Sequence, residues 1–421
     1  MTDIIEVPDF CMVLMIGPPG AGKSAFAHTH FDASEILTLD HFLLSSDDEG
    51  QDVEARERGL DAMRDRAADR LSARQLTVID ATNIHAKERG RFIKVARTYF
   101  AKTVGFAFDF DADMYPEPRE GLLGHIDGLR RILSSLKGPK SIKELHILRS
   151  PEDVAAISEI KRKPLSVDLR NEAGPFDIIG DIHGCADELE TLLTKLGYQL
   201  SFSGEPGERS YEVKPPFGRR AIFLGDLVDR GPRSPDVLRL VKSMMEAGTA
   251  YCVIGNHEFR LYRKLGGQPM RVTHGLEETL EQFAEQPNGF SAEMEGFLQA
   301  LPSHLVFDGG DLVVAHAGLK EEMHNRKSGK VRSFAMYGDT DGKTDSYGLP
   351  VRRDWAADYS GKAAVVYGHT PVAEARWKNN TICIDTGCVF GGKLTALRWP
   401  ERELVDVPAE KEWFAHSQPI K

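Results

Sequence analysis

The stretch FDIIGDIHG, residues 176–184, joins an apolar run typical of a buried strand to a polar end that carries Asp181 and His183. Further apolar runs in the second half of the chain end in the same way, with the polar ends GDLVDRG (225–231), GNHE (255–258), His316 and His369. Because the carboxyl ends of strands in an open α/β sheet meet along one edge, these polar ends are predicted to converge. The pattern therefore predicts an α/β domain with one composite site.

The residue types at this predicted edge are those of a metal centre. Asp and Asn offer hard oxygen ligands and His offers nitrogen, a mixture that suits Mn²⁺, Fe²⁺ or Zn²⁺ better than Ca²⁺. Two metals about 3.5–4 Å apart that share a carboxylate would activate a water and clamp a phosphoryl group. We assign the first metal to Asp181, His183 and Asp226, and the second to Asp226, Asn256, His316 and His369.

Four more residues are assigned to this site. Arg230 is expected to bind the substrate phosphate. His257 is expected to protonate the leaving alkoxide, with Asp229 orienting it. Asp385, in the sequence IDTG, is interpreted either as a support for the site or as a turn residue.

In the first half of the chain, short apolar runs alternate with amphipathic helical patterns, which predicts a parallel sheet covered on both faces. The first run, CMVLMI (11–16), leads into GPPGAGKS (17–24), which fits GxxxxGK[ST] between a strand and a helix. Backbone N–H groups of such a loop cradle phosphates, and the helix N-terminus adds a favourable dipole. The predicted nucleotide-binding residues are Gly17, Pro18, Pro19, Gly20, Ala21, Gly22, Lys23 and Ser24, with Lys23 on the β/γ-phosphates of ATP and Ser24 on Mg²⁺.

Two carboxylates are candidates beside this loop. Asp40 ends the strand pattern EILTLD (35–40) and is interpreted as the base that accepts a proton from an attacking hydroxyl, or as a helix cap. Asp80 ends LTVID and is interpreted as acting on Mg²⁺ through water, or as a cap. Arginines that could close over the nucleotide, or simply lie on exposed helices, are Arg119, Arg130 and Arg131.

The net charge of −11 over 421 residues excludes a uniformly basic nucleic-acid coat, although local patches remain candidates. Two such patches, which could equally be solvated loops, are Arg326, Lys327, Lys330 and Arg332, and the pair Arg352–Arg353. The five cysteines include no CxxC pair, and the N-terminus has no signal-peptide layout, so a cytoplasmic protein without membrane contact is expected.

Domain boundaries follow from breaks in the strand–helix pattern. The last predicted helix of the first half is Pro151 to Ile160, and a charged, proline-containing stretch follows it. The predicted division is a first domain at 1–165, a linker at 166–175, a second domain at 176–408 and a short polar tail at 409–421.

The order D-x-H, GDxxDRG, GNHE, H, GH resembles the binuclear metallophosphoesterases, and GDLVDRG and GNHE look like the serine/threonine phosphatase branch with its bacterial diadenosine-tetraphosphatase relatives. With GxxxxGKS ahead of it, and with stretches such as GPFDIIGDIHGC and ICIDTGCVFGGKLTALR, the chain resembles the bacterial polynucleotide kinase–phosphatases. The resemblance implies a P-loop NTPase sheet with flanking helices, followed by a metallophosphoesterase β-sandwich with flanking helices.

The same resemblance implies an ATP- and Mg²⁺-dependent 5′-hydroxyl kinase, and a Mn²⁺- or Ni²⁺-dependent 3′-phosphatase and 2′,3′-cyclic phosphodiesterase that acts on RNA or DNA ends. Full-length members carry a ligase domain next, so a separate ligase or RNA-modifying protein is expected as a partner. Lys23, Ser24 and Asp40 match the kinase motif, but Asp40 is followed by His41-Phe42-Leu43 without the arginine that is usual there.

Two alternatives stay open. The chain could be a phosphatase alone, acting on phosphoproteins or dinucleoside polyphosphates, with a degenerate P-loop domain that binds nucleotide. It could also be a non-enzymatic P-loop scaffold, although scaffolding gives no reason for so many ligands to meet at strand ends.

Overall fold

The computed structural model describes residues 3–44, 53–115, 121–138, 141–344 and 350–415. The chain divides into two compact units. The first comprises Met1–Leu165 with Arg326–Ser328, and the second comprises Ser166–Asn325 with Gly329–Lys421.

The first unit is built on a parallel five-stranded sheet with the strand order β3-β4-β2-β5-β6. A separate two-stranded parallel sheet pairs β1 with β7. The elements are β1 (Asp3–Pro8), β2 (Cys11–Ile16), α1 (Lys23–His30), β3 (Ile36–Thr38), α2 (Leu39–Leu44), α3 (Val53–Ser72), β4 (Thr77–Asp80), α4 (Ala86–Thr98), β5 (Lys102–Phe108), α5 (Leu122–Leu136), β6 (Glu144–Leu148), α6 (Pro151–Ala156) and β7 (Ile157–Lys163).

Each face of the five-stranded sheet has its own apolar core. On one face Leu14 and Ile79 pack with Met63 and Phe92 of the helices, and on the other Val13 packs with helix residues such as Phe26. Every residue of β2 is buried because both of its faces are covered. The predicted parallel sheet with helices on both faces is confirmed.

Two predicted boundaries in this unit are wrong. The helix that begins at Pro151 ends at Ala156, and Ile157–Lys163 forms a strand instead. The β-branched Ile157 and Ile160 are buried there, and Ile160 pairs with Ile5, which lies far away in sequence. The strand predicted over 35–40 also ends early, since Leu39 already starts α2.

The second unit contains two six-stranded sheets. One has the order β13-β12-β9-β22-β21 with β23 paired to β22, and the other has the order β19-β20-β18-β15-β14-β8. The strands are β8 (Asp168–Leu169), β9 (Phe176–Ile179), β10 (Gln199–Ser203), β11 (Ser210–Lys214), β12 (Arg220–Phe223), β13 (Ala250–Cys252), β14 (His304–Phe307), β15 (Leu312–Ala315), β16 (Thr340–Thr344), β17 (Pro350–Arg352), β18 (Ala364–Tyr367), β19 (Trp377–Lys378), β20 (Thr381–Cys383), β21 (Asp385–Thr386), β22 (Lys393–Trp399) and β23 (Glu403–Pro408). The helices are α7 (Ala186–Leu196), α8 (Ser234–Glu246), α9 (Asn256–Leu265), α10 (Leu276–Ala284), α11 (Phe290–Ala300) and α12 (Gly329–Tyr337).

The two sheets face each other across a shared core. Ile178 and Ile222 of the first sheet pack in one cluster with Phe307, Val314 and Val366 of the second. The other face of the first sheet is covered by helices, in a larger cluster that includes α7, α8 and α11. The predicted sandwich with flanking helices is confirmed.

Residues 166–175 belong to the second unit and are not a linker between the units. Asp168 and Leu169 form β8, which extends the second sheet by pairing with Val306 and Phe307. The start of the predicted tail is also packed, because the backbone N–H of Ala409 donates to the carbonyl of Gly392. Among the described residues, no helix combines the length and the apolar character needed to cross a bilayer.

In the first predicted basic patch, Lys327, Lys330 and Arg332 are exposed, whereas Arg326 is not. Arg326 is buried and belongs to the first unit, where it donates to the Leu71 carbonyl and lies 3.8 Å from the Phe10 ring centroid. Its guanidinium therefore serves packing within that unit.

Candidate metal centre and phosphate loop

The predicted metal ligands follow strand ends in the second unit, as expected. Asp181 and His183 follow β9, and Asp226 follows β12. Asn256 and His257 follow β13 at the start of α9, His316 follows β15, and His369 follows β18. Their side chains meet at one place: the four histidines lie near Asp226, Asn256 contacts His316, and Asp181 contacts the backbone of His369.

The backbone around this centre adopts conformations that most residues avoid. His183, Asp226, Asp229, Arg230 and His369 have φ values of 48°, 46°, 75°, 72° and 75°. Non-glycine residues with positive φ are uncommon, and such strain concentrates at functional sites. The turns are sharp because the side chains must reach one point from separate strands.

Two side-chain groups share the Asp226 carboxylate. In the first, Asp226 Oδ2 lies 3.6 Å from His183 Nε2 and 3.9 Å from His257 Nε2. In the second, the same oxygen lies 3.3 Å from His316 Nε2, which is 3.0 Å from His369 Nδ1. Asp226 is thus placed between two sets of nitrogen ligands, as a carboxylate that bridges two metals must be.

The remaining assigned ligands lie at the edges of these groups. Asn256 Oδ1 is 3.1 Å from His316 Nε2, within the second group as predicted. Asp181 accepts hydrogen bonds from the His369 backbone N–H at 3.0 and 3.2 Å, so it also lies on that side. The first tight group consists of His183, Asp226 and His257. Asp385 is buried, and its carboxylate accepts the Gly387 backbone N–H.

The electrostatics of the centre are those of crowded, buried carboxylates. Burial, together with the charge of Asp385, raises the pKa of Asp181 well above its usual range. Burial also raises the pKa of Asp385 to about 6. Burial disfavours a charged His316, but Asp226 and Asp181 outweigh it and raise its pKa to about 9. The centre therefore favours added positive charge.

These residues fit a pair of divalent metals. The donor set is carboxylate, imidazole and amide, and His369 Nε2 is buried without a hydrogen-bond partner among the described residues. His183 and His316 each use Nδ1 on a backbone carbonyl, at 2.8 Å from Val228 and 3.0 Å from Leu224, so that Nε2 of each ring is the nitrogen that faces the centre. Bound metals would supply Lewis-acid polarisation of a phosphoryl group and activation of water at neutral pH.

Arg230 and the His257–Asp229 pair lie at the same centre. Arg230 places Nη1 2.8 Å from His183 Nε2 and Nη2 3.2 Å from His257 Nε2, so its guanidinium faces both histidines. His257 Nδ1 is 2.6 Å from Asp229 Oδ2, and the Thr279 hydroxyl donates to Asp229 Oδ1 at 2.8 Å. Asp229 is therefore held from one side while it fixes the imidazole on the other.

Glu258, the last residue of GNHE, is a supporting residue for which no role is predicted from the sequence. It is fully buried, and its carboxylate accepts the backbone N–H groups of Asp226, Leu227 and Gly255 at 2.7, 2.7 and 3.0 Å. It ties the Asp226 turn to the start of α9. Its place beside Asn256 and His257 in the motif is a signal that could have indicated this role, whereas Thr279 has no such signal.

Replacing Glu258 with alanine should lower the free energy of unfolding by about 2–4 kcal/mol, because it leaves buried N–H donors without acceptors. Denaturant unfolding of the full chain measures this loss. Glu278→Ala, at an exposed position of α10, is the matched control and should leave the midpoint within error. Equal effects of the two substitutions would contradict the role given to Glu258.

The loop at 17–24 has the geometry of a phosphate cradle in the first unit. Gly20 and Gly22 have φ values of 83° and 82°, which glycine adopts readily, and α1 begins directly at Lys23. Lys23 Nζ donates to the Pro18 carbonyl at 2.7 Å, closing the loop on itself. A side chain at Gly17 would press against Phe108 of the neighbouring strand.

Both candidate carboxylates lie near Lys23. Burial lowers the pKa of Lys23 to about 8, and Asp80 and Asp40 oppose that shift. Asp80 is buried, and its Oδ2 has no hydrogen-bond partner among the described residues. Asp40 is exposed, two residues past the end of β3, in the first turn of α2.

The arginines proposed to close over the nucleotide have different surroundings. Arg130 is engaged with Asp109 and Asp111, at 3.0 and 2.6 Å. Arg131 donates to the Asp127 carbonyl and lines an open cavity with His85 and His125. Arg119 lies outside the described residues.

The facing sheets, with an Asp–His–Asn–Arg centre at their strand ends, define a metal-dependent phosphoesterase, and the strand–loop–helix at 17–24 defines a P-loop domain ahead of it. Residues 174–373 match the calcineurin-like phosphoesterase family, and residues 12–117 match a family described as AAA domain. The chain belongs to the calcineurin-like phosphoesterases.

Two relatives of this chain share one functional name. The bis(5′-nucleosyl)-tetraphosphatase PrpE (asymmetrical) of Geobacillus sp. strain WCH70 is 47% identical over 238 residues, which are 56% of this chain and 94% of that protein. The protein of the same name from Bacillus subtilis strain 168 is 46% identical over 238 residues, with the same coverage of 56% and 94%. A crystal structure of a provisionally assigned diadenosine tetraphosphatase is 27% identical, with a TM-score of 0.42, and covers 58% of this chain and 97% of that one.

Proposed function

We propose that the second unit hydrolyses bis(5′-nucleosyl) tetraphosphates asymmetrically, and that the first unit is a nucleotide-binding P-loop module. The observation that carries the proposal is the 47% identity to a bis(5′-nucleosyl)-tetraphosphatase across 94% of its length, within the part of the chain that holds the metal centre. It favours a dinucleoside polyphosphate over a polynucleotide end as the substrate. The reaction consumes one water, breaks one phosphoanhydride P–O bond and releases a nucleoside triphosphate and a nucleoside monophosphate.

Different side chains of the centre would perform different parts of this reaction. Arg230 presents two N–H groups at the histidine cluster, where they can bind phosphate oxygens of the polyphosphate. His257, held by Asp229, is placed to donate a hydrogen bond to the departing phosphate oxygen. Asp226, His316 and His369 would hold metal on the opposite side, and Mn²⁺ is the metal we propose.

The test is a comparison of substrates on the purified full chain with Mn²⁺. Diadenosine tetraphosphate, a phosphopeptide and a 3′-phosphorylated RNA oligonucleotide are offered in parallel, and products are separated by ion-exchange chromatography. We expect diadenosine tetraphosphate to have the highest kcat/KM and to yield ATP and AMP in equal amounts. A higher kcat/KM on the RNA or the phosphopeptide, or ADP as the product, would overturn the proposal.

A second candidate function is ATP-dependent phosphorylation of a polynucleotide 5′-hydroxyl. The observation that favours it is the position of Asp40 and Asp80 near Lys23, which offers a base and a Mg²⁺-binding carboxylate beside the phosphate cradle. Transfer of label from [γ-³²P]ATP to 5′-hydroxyl RNA and DNA oligonucleotides tests it, with Asp40→Asn as the variant. If the wild-type protein does not label the oligonucleotides, the kinase assignment is wrong. If Asp40→Asn labels them as well as the wild-type protein does, the assignment of Asp40 as the base is wrong.

Nucleotide binding to the first unit should weaken as the pH rises above about 8. Below that pH the Lys23 amine is protonated, and above it the amine is increasingly neutral unless phosphate holds its proton. A bound phosphate raises the pKa of Lys23, so binding above pH 8 should take up a proton, and the affinity should fall by at most about tenfold per pH unit.

Calorimetric titration with ATP and Mg²⁺, between pH 7 and 9.5 in buffers of different ionisation enthalpy, measures both effects. Lys87→Ala, at an exposed lysine of the same unit, should keep the wild-type pH profile. A flat profile in the wild-type protein would show that Lys23 does not control the affinity.

A further inference from the structure

Two aromatic rings flank the guanidinium of Arg230. The Arg230 Cζ atom lies 5.1 Å from the ring centroid of Phe390 and 5.8 Å from that of Phe414. Both rings are only partly buried, although they pack against the main core of the unit. Partly exposed aromatic rings are thus found directly beside the residue that we expect to bind substrate phosphate.

Phe414 is placed there by the segment predicted from the sequence to be a short polar tail. The backbone N–H groups of Trp413 and Phe414 both donate to the Val389 carbonyl at 3.0 Å. The Trp413 indole N–H donates to Glu188 at 2.9 Å, and the Glu410 backbone N–H donates to the same carboxylate oxygen at 3.1 Å. These contacts fold residues 409–414 back onto the loop at 387–392 and fix Phe414 at the rim of the metal centre.

From this geometry we infer that Phe414, with Phe390, forms a nucleobase subsite that stacks the base of the nucleotide whose phosphate Arg230 binds. Aromatic side chains stack on every base because every base has a π-face, so the subsite would recognise a nucleoside without selecting one base. The inference rests on the proposed function for the choice of ligand, a nucleoside phosphate. It adds the base-binding residues, which the metal centre itself does not supply.

A simpler role for the rings would be to hold Arg230 in place by cation–π contact. The two roles differ in what they predict for ligands with and without a base. A residue that only positions Arg230 affects every phosphate ligand alike. A stacking residue affects the binding of a nucleoside monophosphate and leaves the binding of the matching sugar phosphate unchanged.

The experiment compares AMP with ribose 5-phosphate as competitive inhibitors of p-nitrophenyl phosphate hydrolysis by the full chain with Mn²⁺. Inhibition reports on the phosphoesterase site even when AMP also binds elsewhere. The readout is the inhibition constant of ribose 5-phosphate divided by that of AMP. We expect this ratio to be about 5 to 150 for the wild-type protein, the affinity range of base–aromatic stacking.

Phe414→Ala should bring the ratio close to one, and Phe414→Leu should do nearly the same, because leucine keeps the apolar bulk without a π-face. Phe414→Trp should keep the ratio at or above the wild-type value. The matched control is Phe217→Ala, at a fully exposed phenylalanine just before β12, at the end opposite to the metal centre; its ratio should equal that of the wild type. Thermal unfolding of each variant checks that the fold is intact.

A wild-type ratio of one, or a ratio that Phe414→Ala and Phe414→Leu leave unchanged, would overturn the inference. So would a parallel loss of inhibition by both ligands, since that is the signature of a role through Arg230 alone. The proposed function fails separately: if diadenosine tetraphosphate is not cleaved but the ratio still depends on Phe414, the base subsite stands without that substrate.

Discussion

Asp226→Asn should lower kcat/KM for phosphoester hydrolysis by more than about 1,000-fold. This loss exceeds the 10–100-fold fall in activity that is typical when a residue hydrogen-bonded to a metal ligand is replaced. The reason is the position of Asp226 Oδ2, which lies 3.6 Å from His183 Nε2 and 3.3 Å from His316 Nε2 and so approaches both histidine groups. Asparagine keeps the shape of the aspartate side chain but removes the negative charge that both histidine groups face. We therefore expect both metals to be lost or weakened together.

Metal content after gel filtration and the rate with diadenosine tetraphosphate together check this result. Wild-type protein should carry about two Mn²⁺ per chain, and Asp226→Asn should carry fewer than one under the same conditions. The matched control is Asp311→Asn, at an exposed aspartate just before β15, away from the strand ends that form the centre. An Asp226→Asn protein with full metal content and near-normal rate would contradict the bridging role.

The metal ligands and the phosphate loop could be predicted from the sequence because one topological rule brings them together. In both units an apolar strand ends in polar residues, and strands of an α/β sheet deliver those residues to a common edge. Asp181, His183, Asp226, Asn256, His316 and His369 each follow a strand in this way, and so does the loop that contains Lys23. Their convergence needed only the local pattern and the rule.

What could not be predicted depends on contacts between distant segments. The strand Ile157–Lys163 resembled a helix end in sequence, and only its pairing with Asp3–Pro8 decides its conformation. Asp168 and Leu169 form a two-residue strand for the same reason, by pairing with β14. Short segments with weak local preference take the structure that their tertiary partners offer.

Support for the catalytic groups is also non-local. Thr279 holds Asp229 from fifty positions further along the chain, and Phe414 comes from a segment that looked polar and short. Neither residue carries a motif, since a single hydroxyl or ring has no characteristic spacing. Such residues emerge only when helices α8 and α10 and the segment at 409–414 are seen packed around the centre.

His257→Ala should lower kcat by about 100- to 10,000-fold for substrates that release an alkoxide, such as a nucleoside 3′-phosphate, and far less for p-nitrophenyl phosphate. An alkoxide needs a proton as it leaves, whereas p-nitrophenolate is stable without one. His257 has the geometry of the donor, because its Nδ1 is held by Asp229 at 2.6 Å while its Nε2 faces Arg230. Asp229→Asn should show the same dependence on the leaving group with a smaller loss, as expected of a positioning residue.

Because His257 lies in the first histidine group, it could act either as a metal ligand or as a proton donor, and this prediction distinguishes the two roles. As a metal ligand, its loss would slow every substrate equally and would reduce the bound metal, because activation of water does not depend on the leaving group. As a proton donor, its loss would leave the metal content unchanged and make the rate depend steeply on leaving-group basicity. Rates for a series of aryl and alkyl phosphates, measured with metal content on the same preparations, separate the two. A slope that His257→Ala leaves unchanged would assign His257 to the metal.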